Sequence, residues 1–329
     1  MISVIRLLGQ RSVLLAILGW IAANALVLTL APDVLPFDWT DRSTTGRVVG
    51  ANFALLEVLI LTAIVYALTR KRDLSALVER APARDAARRE TLLLLSYGAV
   101  GLLGGFAIGR ASGWHPFGFH LAGTLYGTQE HVARAEALAW AAYNVVVYAL
   151  VPLIYFRRRY SSEQLNLKSS DRRGDALVIG VVLLIESIAQ YFALHSQLFT
   201  LTPRQLLVGV PLAFGIYFVG TVLPAMIFIY AILVPRFLRL TGSTATTVIL
   251  GGVTYTLMHV WDAWTVFSSP SGAVLSVVFL FLTYFGPGMM KTVLTVRTGN
   301  AWAHAWAYHA LAPHTFHDTP LIVRMFRIR

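Results

Sequence analysis

LPAMIFIYAILVPRFLRLTGSTATTVILGGVTYTLMH, residues 223–259, decides how the rest of the chain is read. A long apolar run leads into a short basic stretch with Arg236 and Arg239, and a second apolar run follows, closed by His259. Two membrane helices joined by a tight basic turn account for that order, and an ionisable ring at the far end of the second helix makes the stretch a place for chemistry as well. Pro224 removes one main-chain donor inside the first run, so that run is expected to depart from a regular α-helix there.

The same alternation extends in both directions. With 57% apolar and 13% charged residues over 329 positions, and several apolar runs near twenty residues, the chain reads as an all-α polytopic membrane bundle of about eight or nine segments. Spans are expected at about 13–30, 51–69, 91–109, 135–156, 176–194, 206–240, 244–262 and 272–290, with a ninth apolar segment at 299–312. The whole of 1–329 forms one integral membrane domain, with N-terminal helices and an interfacial loop in 1–170 and a core in 171–329. The net charge of +11 sits largely in connections such as RKRDLSALVERAPARDAARRE (70–90) and RRRYSSEQLNLKSSDRRG (157–174). It is an orientation signal that places these connections and the N-terminus in the cytoplasm, not a nucleic-acid footprint. The absence of cysteine excludes disulfides, thiolate metal sites and cysteine nucleophiles. Gly101, Gly105 and Gly109 give the third span a face that a neighbour can approach closely. The aromatic, turn-rich stretch 112–134 reads as a loop at or dipping into the interface.

That threading gathers the nine histidines towards the non-cytoplasmic half. His115, His120 and His131 fall in the outer loop, His195 at the outer end of span five, His259 near the end of span seven, and His304, His309, His314 and His317 along or beyond the ninth segment. Glu57 and Glu186 lie inside spans, where an ionisable group costs several kcal/mol unless it is paired or faces a polar cavity. Gln190 lies one turn from Glu186 on the same face. On a regular α-helix, His304 and His309 are turned about 140° apart, so they face one point only if the helix bends. Asp262 lies three residues after His259 and is a candidate to orient its ring or to help hold a metal. Trp302 and Trp306 read as interfacial anchors.

Taken together, YAILVPRFLR (230–239), YTLMH (255–259) and TGNAWAHAWAYHA (298–310) resemble the motifs of the CPBP family of intramembrane proteases, which includes the CaaX-processing endopeptidases and bacteriocin-processing proteins. That family carries E-E-x-x-x-R, F-x-x-x-H and H-x-x-x-N or H-x-x-x-D. Here the glutamates fall on Ala225 and Met226, the arginine on Tyr230, and the last amide or carboxylate on Pro313, while His259 and His309 are kept. The resemblance implies a CPBP-like core in the C-terminal half and peptide-bond hydrolysis at a metal or an activated water. With the paired glutamates gone, Glu186 is the substitute base, and His259 and His309 complete the catalytic set. The metal, taken as zinc, is expected on His259 and His309 with a third ligand from Glu186, Asp262 or His304.

Three functions are therefore separated. One is a divergent membrane metalloprotease acting on a membrane-anchored or exported polypeptide, in the cell (inner) membrane. A second is a bundle of the same kind that has lost catalysis and serves as a membrane partner. The third is a diiron lipid hydroxylase or desaturase, from the H-x-x-x-x-H pairs His115/His120 and His304/His309 and the H-x-x-H pair His314/His317.

Overall fold

The computed structural model describes residues 9–31, 43–121, 132–194 and 197–329; Glu130, His131 and His195 lie outside them. The helix that contains residues 223–241 is the axis of the molecule. It runs over Pro203–Thr241, and 83% of its most apolar window is buried, against 11% in the first helix. A helix that is apolar on all sides has no face to give to solvent, and this one is surrounded by protein instead. Thr202 and Gln205 form a capping box at its start, with Pro203 in the first helical position. Gly242, with φ at 61°, ends it. Pro224 sits in a single α-helical turn between two π-helical stretches, Phe218–Val222 and Met226–Leu233, where the missing N–H is absorbed by a change of hydrogen-bond pattern.

In chain order the helices are α1 (Arg11–Leu30), α2 (Thr44–Leu68), the short α3 (Ser75–Arg80), α4 (Arg84–Ser112), α5 (Arg134–Arg157), α6 (Arg172–Leu194) and α7 (Pro203–Thr241). They continue with α8 (Thr244–Leu257), α9 (Pro270–Thr298), α10 (301–317) and α11 (Thr319–Phe326). No strand occurs among the described residues. Seven of these helices, α1, α2, α4, α5, α6, α7 and α9, are long and apolar enough to cross a membrane, so the chain is an all-α polytopic membrane bundle. With 14 residues, α8 extends only about 21 Å, so the segment expected to span at 244–262 is not among the candidate spans, which number seven among the described residues instead of eight or nine. It packs as a hairpin with α9, which also lies against α1 and α2, while α10 is held between α6 and α7.

Three expectations are revised. First, the basic stretch 70–90 is largely helical: α3 lies within it, and α4 begins at Arg84, well before the expected start at 91. Its Glu90 is buried and bonded to the Arg236 guanidinium at 2.7 and 2.8 Å. Second, Arg236 is therefore not part of a solvated turn. It is fully buried in the last turns of α7, donates to the Ile232 carbonyl and lies over the Phe156 and Tyr160 rings. Third, the glycine face of α4 accepts the chain's own fold-back as well as a neighbouring helix. After Gly113 the chain reverses, and the Phe117 N–H donates to the Gly105 carbonyl at 3.2 Å. A Cβ on Gly105 would lie 2.4 Å from the Phe117 oxygen, and one on Gly109 2.3 Å from the His115 oxygen, while Gly101 meets Tyr148 of α5. The fold-back is what carries His120 from the first half of the chain into the interior.

Candidate functional site

A cavity of about 190 Å³ opens among α2, α6, α8, α9 and α10, with room for several waters. Glu57 of α2 and Glu186 of α6 form one wall and hydrogen-bond each other through their carboxyl groups. Gln190, one turn on from Glu186, donates to its Oε1 at 2.5 Å. Facing them is Lys291 of α9, only 3% exposed and attracted electrostatically to Glu186. Its ammonium donates to the Tyr255 hydroxyl and lies 3.7 Å from the centre of that ring. Two carboxyl groups, an amine and a phenol thus share one buried space, the arrangement that makes ionisable groups tolerable at membrane depth.

His259 and His309 are placed around Tyr255. The His309 Nε2 lies 3.2 Å from the Tyr255 hydroxyl. His259 follows the last turn of α8, donates from Nδ1 to the Tyr255 carbonyl at 2.7 Å, and stacks on Tyr284 at 3.8 Å between ring centres. That bond fixes the tautomer and leaves Nε2 as the nitrogen available to the cavity. Glu186, His259 and His309, expected together from the sequence, line the same space.

The five-residue spacing of His304, His309 and His314 is resolved by the backbone of α10. One α-helical turn, Ala301–His304, runs into a π-helical stretch, Ala305–His317. A π-helix bonds residue i to i+5, which brings residues five apart onto one face, whereas an α-helix turns them aside. The rings form a column: His304 to His309 is 5.8 Å, His309 to His314 5.0 Å, and His314 to His120 5.1 Å. At the inner end, His304 is fully buried with neither ring nitrogen in a well-formed hydrogen bond, and it packs 4.1 Å from the Tyr230 ring. Tyr230 is the residue at the arginine position of the family motif.

The outer end of the column is acidic. His314 Nδ1 lies 3.1 Å from Asp318 Oδ2, and His120 Nε2 lies 3.8 Å from the same oxygen. On the other side of His120, Nδ1 is 3.9 Å from Asp262 Oδ2. Asp262 also takes bonds from the Tyr284 hydroxyl and, at 3.3 Å, from the Trp264 indole. It lies in the connection 258–269 outside the helices, and burial pushes its carboxyl group up to about 7. Asp262 therefore addresses His120, not His259, because the turn after α8 points its side chain back towards the folded-over 113–121 segment.

Among the described residues, the three metal-capable groups whose ligand atoms all lie within 4.8 Å of one another are His120, His314 and Asp318. The ligand set expected from the sequence, His259 and His309 with Asp262 or His304, is spread along the cavity and the column instead. His259 Nδ1 is engaged by a main-chain carbonyl. The H-x-x-x-x-H and H-x-x-H pairs do not form one centre either. His115 is bound to Glu136 at 2.7 Å, and His317 lines a separate cavity with Ser187, Gln190 and Phe316. Trp306 stacks on Phe218 and Phe214 of α7 and stays half-buried.

Three residues of the site were absent from the sequence reading as candidates, Lys291, Tyr255 as a hydroxyl and Asp318, while His120 entered it only in a pair with His115. Lys291 carried a visible signal, a lone amine in an apolar run. The others depend on the fold-back and on the π-helix, which no periodicity announced. Comparison with family models, with curated proteins and with solved structures finds no match for the chain.

Proposed function

We propose that the chain is a membrane-embedded hydrolase of the CPBP type, in which the Glu57–Glu186 pair takes the place of the glutamates missing at Ala225 and Met226. One observation carries this reading: Glu57, Glu186, Lys291, Tyr255, His259 and His309 line a single cavity, although their sequence positions span five helices and a turn. Two carboxyl groups in contact divide between an ionised and a protonated form, because both cannot carry charge side by side. The ionised member takes a proton from water, the resulting hydroxide adds to a peptide carbonyl, and the new oxyanion is met by N–H and O–H donors. Lys291 and Tyr255 supply those donors across the cavity. The protonated carboxyl, or the His259 imidazole once charged, returns a proton to the leaving nitrogen.

By the distribution of Lys and Arg, the connections 69–83 and 158–171 face the cytoplasm; the histidine column then runs from His304, one turn past Asn300 at that end, to His120 and Asp318 in the other half of the bilayer. Substrates of that geometry are membrane-anchored or exported polypeptides, and the membrane is the cell (inner) membrane. The test is hydrolysis of membrane-anchored peptides by the purified chain in lipid nanodiscs, read by mass spectrometry. Wild type is expected to cleave, with Glu186→Gln and His259→Ala slower by about 10²- to 10⁴-fold. Cleavage that survives both substitutions, or none by the wild type across a broad peptide set, would leave a non-catalytic membrane partner as the better reading.

A further inference from the structure

We propose that His120, His314 and Asp318 form a binding site for one divalent first-row transition metal ion at the outer end of the imidazole column. None of the three falls on a motif of the resemblance, and the site is distinct from the His259/His309 set that the resemblance implies. All three side chains are buried, at 3%, 7% and 0% exposure, and come from two distant parts of the chain.

The spacing fits an ion. Metal bonds of about 2.0–2.2 Å in tetrahedral geometry put ligand atoms about 3.3 Å apart. The two contacts to Asp318 Oδ2, 3.1 Å from His314 and 3.8 Å from His120, straddle that distance. Two imidazoles and a carboxylate are a donor set suited to zinc and to non-haem iron(II), and they leave a coordination position open. His120 and His314 both line the 190 Å³ cavity, which supplies the approach and the water for that position.

The surroundings are those of a ligated histidine. A metal-bound imidazole ordinarily presents its second nitrogen to a carboxylate, which orients the ring and raises its basicity. His120 Nδ1 faces Asp262 Oδ2 at 3.9 Å, longer than a hydrogen bond but on the side away from Asp318, and Asp262 is itself held by Tyr284 and Trp264. His314 is fixed by stacking on Tyr217, with ring centres 5.2 Å apart and planes 12° from parallel. Binding displaces the proton shared between His314 Nδ1 and Asp318 to solvent, so it releases protons and weakens as pH falls. Without an ion the same groups form a hydrogen-bonded histidine–aspartate pair, which is the competing account.

The experiment strips the purified full chain with chelator, reloads it with Zn²⁺ or, anaerobically, with Fe²⁺, and measures bound metal per chain by plasma mass spectrometry. X-ray absorption on the loaded wild type counts the imidazoles. One ion per chain with two imidazoles is expected for at least one of the two metals. His314→Ala and Asp318→Asn are expected to lose it, while His309→Ala and His317→Ala keep it. Asp262→Asn is expected to weaken affinity about 10- to 100-fold at unchanged stoichiometry, as for an orienting carboxylate. The proposal is overturned if neither metal binds the wild type, if the imidazole count differs from two, or if binding survives both His314→Ala and Asp318→Asn. Since the imidazole count is made on wild type, a variant that misfolds does not protect the proposal. Metal binding without peptide cleavage would retain this site and remove only the hydrolase reading.

Discussion

The two ends of the bundle solve the same problem, buried polar groups in an apolar molecule, to different degrees. At the basic end, Arg236 is ion-paired with Glu90, whose other oxygen takes the Tyr160 hydroxyl. Arg297 donates to the side chain and carbonyl of Thr69, and Arg72 and Asn300 meet on the two oxygens of Asp175. Around the cavity, buried atoms of Gln190, Asp262, His304 and His309 have no hydrogen-bond partner, and Glu57 and Glu186 have each other and Gln190. The difference is one of degree: Arg80 Nη1 and Thr91 Oγ1 at the basic end also lack a hydrogen-bond partner, but the Arg236 and Glu90 charges there are paired, whereas Glu57, Glu186, Gln190 and His309 line a space large enough for water. Polar burial alone therefore does not mark a site; convergence of the buried groups on one cavity does.

The comparison breaks most visibly where the closed network is cut. Arg236→Ala leaves Glu90 buried without its partner and is expected to cost about 3–5 kcal/mol of stability, read as a large drop in the denaturation midpoint in detergent. Next comes Gly105→Val, whose Cβ would meet the Phe117 oxygen at 2.4 Å. A cost of about 1–3 kcal/mol is expected, and because the fold-back carries His120, Zn²⁺ affinity should fall along with the midpoint. Asn300→Ala removes both the cap on Trp302 N–H and the bond to Asp175, for about 0.5–2 kcal/mol in the same assay. The smallest effect is expected at the open network. Glu186→Gln should move the midpoint by no more than about 1 kcal/mol while slowing peptide cleavage, since Glu186 lacks the full set of partners whose loss would be felt. A midpoint drop there as large as that of Arg236→Ala would erase the distinction between the two ends.

Much of the architecture could be read from the residues because apolar length and loop charge are local signals. The helical membrane class, most of the spans and the close-packing glycines of α4 follow from such signals, whereas His259 and His309 were expected together from the motif resemblance. The helix boundaries were less legible: α4 and α9 run beyond their apolar windows into charged turns, at Arg84 and Arg297, because Glu90 and Arg297 find partners inside the protein. Arg236 looked like loop charge for the same reason. The metal triad was hidden more deeply. Its histidines are far apart in the chain, one delivered by a loop that folds back over glycines and the other by a helix of unusual pitch.

That pitch has a consequence for how the protein tolerates change. With main-chain bonds from i to i+5, the stacking of His304, His309 and His314 is set by the number of residues between them as much as by their chemistry. Removing a single alanine from 305–307 would let the segment relax to ordinary α-helix and swing the later rings off the column, although every imidazole would still be encoded. A frame-preserving deletion of one codon in this segment is thus expected to be more damaging than most exchanges of one side chain for another.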